Sequence, residues 1–175
     1  MKHLILVGLA VCLLATVSYA QETPRVDVAV GYSPLYIIKG FTIWNNGVSG
    51  SVAVNANSWF GLAGDAGVYI GHVPERLTGE TYMAGPRVTY RQLDRVVPYA
   101  QVLFGGSHFS ESTGGITGEG SHFALAAGGG IDYLLGKNGK WSARVEGDYV
   151  GIESSGSLTP SARFVFGVAY HFGKK

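Results

Sequence analysis

Between Arg25 and Phe172 the chain alternates large apolar residues with small or polar ones at a period of two, and it does so eight times over. That period belongs to a β-strand whose two faces meet different surroundings. In 25–33, Val26, Val28, Val30 and Tyr32 oppose Asp27, Ala29, Gly31 and Ser33. In 48–57, Val48, Val52 and Val54 oppose Ser49, Ser51 and Asn55, and in the third segment Phe60, Leu62, Val68 and Ile70 oppose Asp65. Tyr82, Ala84, Val88 and Tyr90 oppose Thr81, Arg87, Thr89 and Arg91; Val96, Ala100, Val102 and Phe104 oppose Gln101 and Ser107. Phe123, Leu125, Ile131, Tyr133 and Leu135 oppose His122 and Asp132, and Trp141, Ala143, Val145 and Tyr149 oppose Ser142, Arg144, Glu146 and Asp148. The last segment is the clearest, with Phe164, Phe166, Val168, Tyr170 and Phe172 against Ser161, Arg163 and His171. Strands of about ten residues are long enough to cross a bilayer when tilted.

The connections alternate in length. Asn57-Ser58, 92–95 and 136–140 are short and carry Asn, Asp and Gly, the residues of tight turns. Between them stand longer segments, 34–47, 72–79, 110–121 and 153–160. Short turns at one end and longer loops at the other predict an eight-stranded antiparallel up-and-down transmembrane β-barrel.

One face of this barrel holds nearly all the large apolar groups. The other holds Asp27, Asp65, Arg87, Arg91, Asp132, Arg144, Glu146, Asp148 and Arg163. A barrel of eight strands is only wide enough inside for side chains, so charges of both signs are expected to pair across the lumen, and the apolar face is expected to meet lipid. Arg87, Arg144 and Arg163 should find partners among Asp27, Asp65, Asp132, Glu146 and Asp148, because an unpaired buried charge is costly. Outward aromatics gather near strand ends, with Tyr90, Tyr133, Trp141, Tyr170 and Phe172 toward the turns and Tyr32, Tyr82, Phe123, Tyr149 and Phe164 toward the loops. They form the expected pair of interfacial girdles.

Composition agrees. Charged residues make up 14% of the 175 and glycine numbers 27, about twice its usual share. The net charge of +1 gives no electrostatic footprint for nucleic acid. Residues 1–20 read as a signal peptide: Lys2, an apolar stretch from Leu4 to Leu14, then Ser18-Tyr19-Ala20 with small residues at the two positions signal peptidase reads. Cleavage after Ala20 removes Cys12, the single cysteine, and leaves a barrel domain over 21–175 with no thiol for a disulfide or metal site. Bulky Val11 before Cys12 disfavours lipid attachment there.

Several segments carry a resemblance: Gly85-Pro86-Arg87, Pro98-Tyr99-Ala100-Gln101, 128–133 (GGGIDY) and 144–149 (RVEGDY). With these in order along 21–175, the chain resembles the OmpA-like single-domain outer-membrane β-barrel proteins of Gram-negative bacteria. The ending 167–172 (GVAYHF) resembles the C-terminal signal read by the barrel-assembly machinery, with two departures. Gly173-Lys174-Lys175 follow Phe172, and Val165 stands where that signal usually has a polar residue. The resemblance implies an envelope protein with outer-membrane lipids, lipopolysaccharide and the assembly machinery as partners; with no peptidoglycan-binding domain expected after the barrel, the cell-wall anchoring of the larger OmpA type is not carried over.

Chemistry beyond structure is sparse. Ser107-His108-Phe109-Ser110-Glu111 faintly resembles the His-x-Ser of lipid A deacylases, with Glu111 or Glu119 as a third member. By alternation, however, His108 shares the lipid-facing parity of Phe104, so no catalytic residue is assigned. His72 and His122 stand near one rim, where single histidines outnumber metal pairs. Gly114-Gly115 and Gly118-Glu119-Gly120 lack the strand-to-helix setting of a phosphate loop. No cofactor or metal ligand is assigned.

The expected role is structural or interactive: envelope integrity, and a surface ligand at the external loops. The segment 34–47, with Leu35, Tyr36, Ile37, Ile38, Phe41, Ile43 and Trp44, is apolar for an exposed loop and suggests a binding patch or an extension of the first hairpin. Three other classes stay open: a lipid-modifying barrel hydrolase, a small gated channel, and a soluble lipocalin-like ligand carrier.

Overall fold

A computed structural model describes residues 24–39, 41–72, 76–113, 116–136, 138–154 and 156–174. The expected signal peptide, 1–20, lies outside these residues. Nine strands run in chain order: β1 (Pro24–Tyr32), β2 (Leu35–Lys39), β3 (Phe41–Asn55), β4 (Phe60–His72), β5 (Arg76–Thr89), β6 (Val96–Thr113), β7 (Ile116–Leu135), β8 (Trp141–Ser154) and β9 (Ser157–Lys174). Every pairing is antiparallel, and β1 also pairs with β9, from Pro24↔Lys174 to Tyr32↔Phe166. The sheet is therefore closed: among the described residues every strand pairs on both sides through the body of the barrel, and only the loop-end extensions, such as 116–123 of β7, keep one side unpaired.

The closed barrel has eight staves, because β1 and β2 are two halves of one. Ser33-Pro34 breaks the strand, since proline has no N–H for the ladder. The stave stays attached across the break: Ser33 N donates to Gly47 O at 2.8 Å, and Phe164 N donates to Pro34 O at 3.1 Å. Both β1 and β2 pair with β3 on one side and β9 on the other.

The faces divide as the alternation requires. Val30, Val54, Leu62, Val145 and Phe166 stand on the outside, each more than half exposed. The girdles are packed clusters: Trp141 and Tyr170 lie 4.8 Å apart, Tyr170 and Phe172 4.5 Å apart, and at the other end Tyr36 meets Trp44 at 4.2 Å.

The turns follow local chemistry. Asn57 accepts from the backbone N–H groups of Trp59 and Phe60 at 3.0 and 2.7 Å, an Asx turn that reverses the chain between β3 and β4. Between β7 and β8, Gly136 and Gly139 both take positive φ, 69° and 56°, which side-chain-bearing residues resist.

Two expectations are corrected. The segments 34–47, 72–79, 110–121 and 153–160 are not open loops; in the second of them β4 and β5 pair up to His72↔Arg76. The ladder continues through them, to Lys39↔Phe41, Thr113↔Ile116 and Ser154↔Ser157. The strands run 13 to 20 residues in β3 to β9, because the Ser-, Thr- and Gly-rich stretches still pair edge to edge beyond the apolar band. Of the two readings of 34–47, the extension of the first hairpin holds: β2 and β3 pair from Leu35↔Asn45 to Lys39↔Phe41, and Leu35 and Ile37 point into the barrel and are buried.

The second correction concerns the lumen. Toward the loop end, Leu35, Ile37, Tyr69, Met83, Leu103, Ala124, Ala126, Val150 and Ile152 form one buried apolar cluster, with Phe109 packed against it. Toward the turn end the interior is charged. A polar lumen was expected throughout, but the inward positions change character along each stave. Close approach of staves depends on small residues at chosen points. A Cβ added at Gly105 would strike the carbonyl oxygen of Tyr82 and come within 2.7 Å of Met83 Cα. Since backbone must then move, Gly105→Val is expected to cost about 1–3 kcal/mol, seen as a lower temperature of mobility shift on unboiled gels.

Candidate functional site

The interior ion pairs are the most organised polar set in the molecule. Each side chain gets there by parity: Asp65 on β4, Arg87 on β5, Asp132 on β7, Arg144, Glu146 and Asp148 on β8 and Arg163 on β9 all occupy inward positions and are buried. Arg163 is the hub. Its guanidinium donates to Asp65 at 2.5 Å and to Asp148 at 2.6 and 3.0 Å, and reaches Glu146 at 3.3 Å. A planar fork with five donors suits three carboxylates, one from β4 and two from β8.

A second centre lies nearer the turns. Arg144 grips Asp132 with two bonds of 2.7 Å, a bidentate pair, and donates to Ser51 at 3.1 Å. The Tyr99 ring lies between the two centres. Its hydroxyl donates to Glu146, while the Arg87 guanidinium lies 3.7 Å from the ring centroid and that of Arg144 4.9 Å. Arg87 makes only a long contact to Glu146, 3.8 Å, so the face of Tyr99 supplies much of its compensation. Tyr99 has room because residue 130 is glycine; a Cβ there would lie 2.7 Å from the phenolic oxygen.

A third group closes the turn-end mouth. His171 Nδ1 and Asp27 are 2.6 Å apart, Arg91 donates to Asp27 at 3.2 Å, and Asn55 donates to it at 2.9 Å. His171 Nε2 also contacts Ser142 at 3.1 Å.

The sequence expectation of pairing is met for Arg144 with Asp132, for Arg163 with Asp65, Asp148 and Glu146, and for Arg87 with Glu146. Asp27 differs: its partners are Arg91 and His171 rather than the three interior arginines. Tyr99 and Ser51 also belong to the network and were missed, although Tyr99 has the inward parity of Gln101. Barrel closure sets Asp27 beside His171 across 144 residues of chain, and only the register of β1 against β9 reveals it.

The residues weighed for catalysis do not assemble. His108 lies on the outward face of β6, and its Nδ1 is 3.1 Å from Ser121 Oγ across the β6–β7 ladder. Ser107 points inward and is fully buried. Among the described residues, the histidine ion pair is that of His171. The side chains of His72, Glu111 and Glu119 lie outside the described residues, as do those of the glycine-rich tip.

A closed antiparallel barrel with an apolar exterior, aromatic girdles and a charge-paired interior defines an outer-membrane β-barrel protein. A family model described as the outer membrane protein beta-barrel domain matches residues 4–172, and the chain belongs to that family. It is a transmembrane protein of the Gram-negative outer membrane. Neisserial surface protein A is similar in fold, with a TM-score of 0.68 at 14% identity over 84% of this chain and 96% of that one. Ail, the attachment invasion locus protein of Yersinia pestis, gives 0.63 at 16% identity over 86% and 99%. The N-terminal β-barrel domain of Pseudomonas aeruginosa OprF gives 0.63 at 14% over 87% and 100%. A sequence search of curated proteins returned no match.

Proposed function

We propose that this protein is a closed envelope barrel with a structural and interactive role, not a conduit. The observation that carries the reading is the two-layered lumen. An ion that passed the Arg163 and Arg144 centres would still face the apolar layer of Leu35, Tyr69, Leu103 and Val150. Such a layer offers no group to replace a hydration shell. In planar bilayers the purified protein is expected to give no discrete conductance. A steady conductance that changes with Arg144→Ala would overturn the reading in favour of a gated channel.

The short-turn end, with both strand termini of the seam, is assigned to the periplasm, and the paired extensions to the cell surface. Residues 1–20 direct export and are removed by cleavage after Ala20, and insertion uses the barrel-assembly machinery. Outward at the loop end, Asn46 Oδ1 accepts from Tyr32 at 2.5 Å and from Trp44 Nε1 at 2.9 Å, a polar-aromatic group suited to the headgroup level of outer-leaflet lipid and lipopolysaccharide. Ail is known in complex with the heparin analogue sucrose octasulfate. A polyanion suits this chain less well, since its loop-end segments carry Glu75, Glu80, Glu111, Glu119 and Glu153 against Lys39 and Arg76. A surface ligand here is expected to be neutral or cationic.

A further inference from the structure

The turn-end mouth holds a cavity of about 550 Å³ that the ion-pair network does not fill. Its inner wall is the Arg91 and His171 side of the group around Asp27, its apolar wall is Leu93, Val97 and Leu134, and Lys140 stands at its rim. We propose that this cavity is a binding site for a small amphipathic carboxylate, one that carries its acid beside an apolar group.

Three observations support this chemistry. Arg91 spends one terminal nitrogen on Asp27, while its Nε is buried without a hydrogen-bond partner. A buried donor left unmade is costly, and an incoming carboxylate oxygen would supply the missing acceptor. Asp27 meets Arg91 through a terminal nitrogen and not through Nε, and it is also bonded by Asn55 and His171. Second, the segments that make this end are basic. Among the described side chains, Arg25, Arg91, Arg95 and Lys140 stand against Asp27 and Asp94, of which Asp94 also lines the cavity. The excess favours an anion at the mouth. Third, Val97 is buried opposite Asp132 and Leu134 half-buried opposite Ser142, both at inward parity, so an apolar surface adjoins the polar interior. That combination rejects bare inorganic anions and accepts a carboxylate with an alkyl or side-chain body.

Two sources share this chemistry: a periplasmic peptide with a free C-terminal carboxylate, and a short free fatty acid. The site's location in the periplasm rests on the orientation proposed above, but its binding chemistry does not. The test is a titration of the uniformly ¹⁵N-labelled barrel, purified from outer membranes and held in nanodiscs, with N-acetyl-Ala-Leu, its C-terminal amide, and hexanoate. Amide resonances of 91–97, 134–140 and 171–173 are expected to shift with one or both acids and not with the amide. Shifts with the dipeptide alone assign the peptide source, and shifts with hexanoate alone assign the fatty acid. Lys140→Gln, which alters an exposed side chain, should weaken binding about fivefold, the scale of one exposed charge contact. Arg91→Gln should abolish it, with the rest of the spectrum showing an intact barrel. No shift at these residues with either acid, equal shifts with acid and amide, or binding unchanged in Lys140→Gln would overturn the proposal.

Discussion

Replacement of Arg163 by methionine is expected to destabilise the barrel by about 3–5 kcal/mol, the scale for removing one member of a buried ion-pair group. The loss is large because the guanidinium serves three carboxylates at once. Without it Asp65, Asp148 and Glu146 stand together with their charges uncompensated, and Arg87, 3.8 Å from Glu146, is too distant to replace it. Lysine at 163 keeps the charge but not the fork, and so should retain only part of the stability. Guanidinium unfolding in detergent, followed by loss of the fast-migrating band on unboiled gels, measures both variants. Equal stability of Arg163→Met and wild type would show that the network contributes nothing net.

Leu103→Ala tests the other half of the lumen. Leu103 is fully buried on β6 within the apolar cluster, and its truncation should cost about 2–5 kcal/mol, made up of lost transfer energy and the cavity left behind. Leu62 on the outside is the matched control, at 61% exposure. Lipid chains are fluid and fill the space that Leu62→Ala vacates, so the cavity contribution falls away there. The difference between the two variants thus reads packing alone. If the two truncations cost the same, the loop-end interior is not a packed core.

The sequence disclosed the staves more readily than the way they are filled. Alternation separates Val, Phe and Tyr from Asp and Arg, and since parity is a local property, inside and outside were assigned correctly along β1, β3, β8 and β9. The apolar half of the lumen was overlooked for the same reason. Leu103, Val150, Ile152 and Met83 share the parity of the charged residues, and a pattern that pools a whole stave averages them away. A reading by depth along each strand would have exposed them. Pairing partners were partly legible, because opposite charges on one face have few choices in a narrow lumen. Arg144 with Asp132 follows from adjacent staves. Asp27 with His171 and Arg91 does not, as it depends on the shear with which the sheet closes. The long polar segments were misjudged because turn-forming residues also pair well once a hairpin is under way, as from Phe109↔Gly120 to Thr113↔Ile116.

The seam between β1 and β9 also makes completion of the molecule detectable. Until the last stave arrives, Asp27 has no His171, Ser142 has no ring nitrogen to bond, and the inner edge of β1 offers its N–H and C=O groups to any strand nearby. An open sheet of this kind keeps the whole first stave free on one side, whereas the closed one pairs it from Pro24 to Tyr32. His171, three residues before the end of β9, thus ties the last stave to the first: it meets Ser142 on β8 and Asp27 on β1, and the second contact exists only once the barrel has closed.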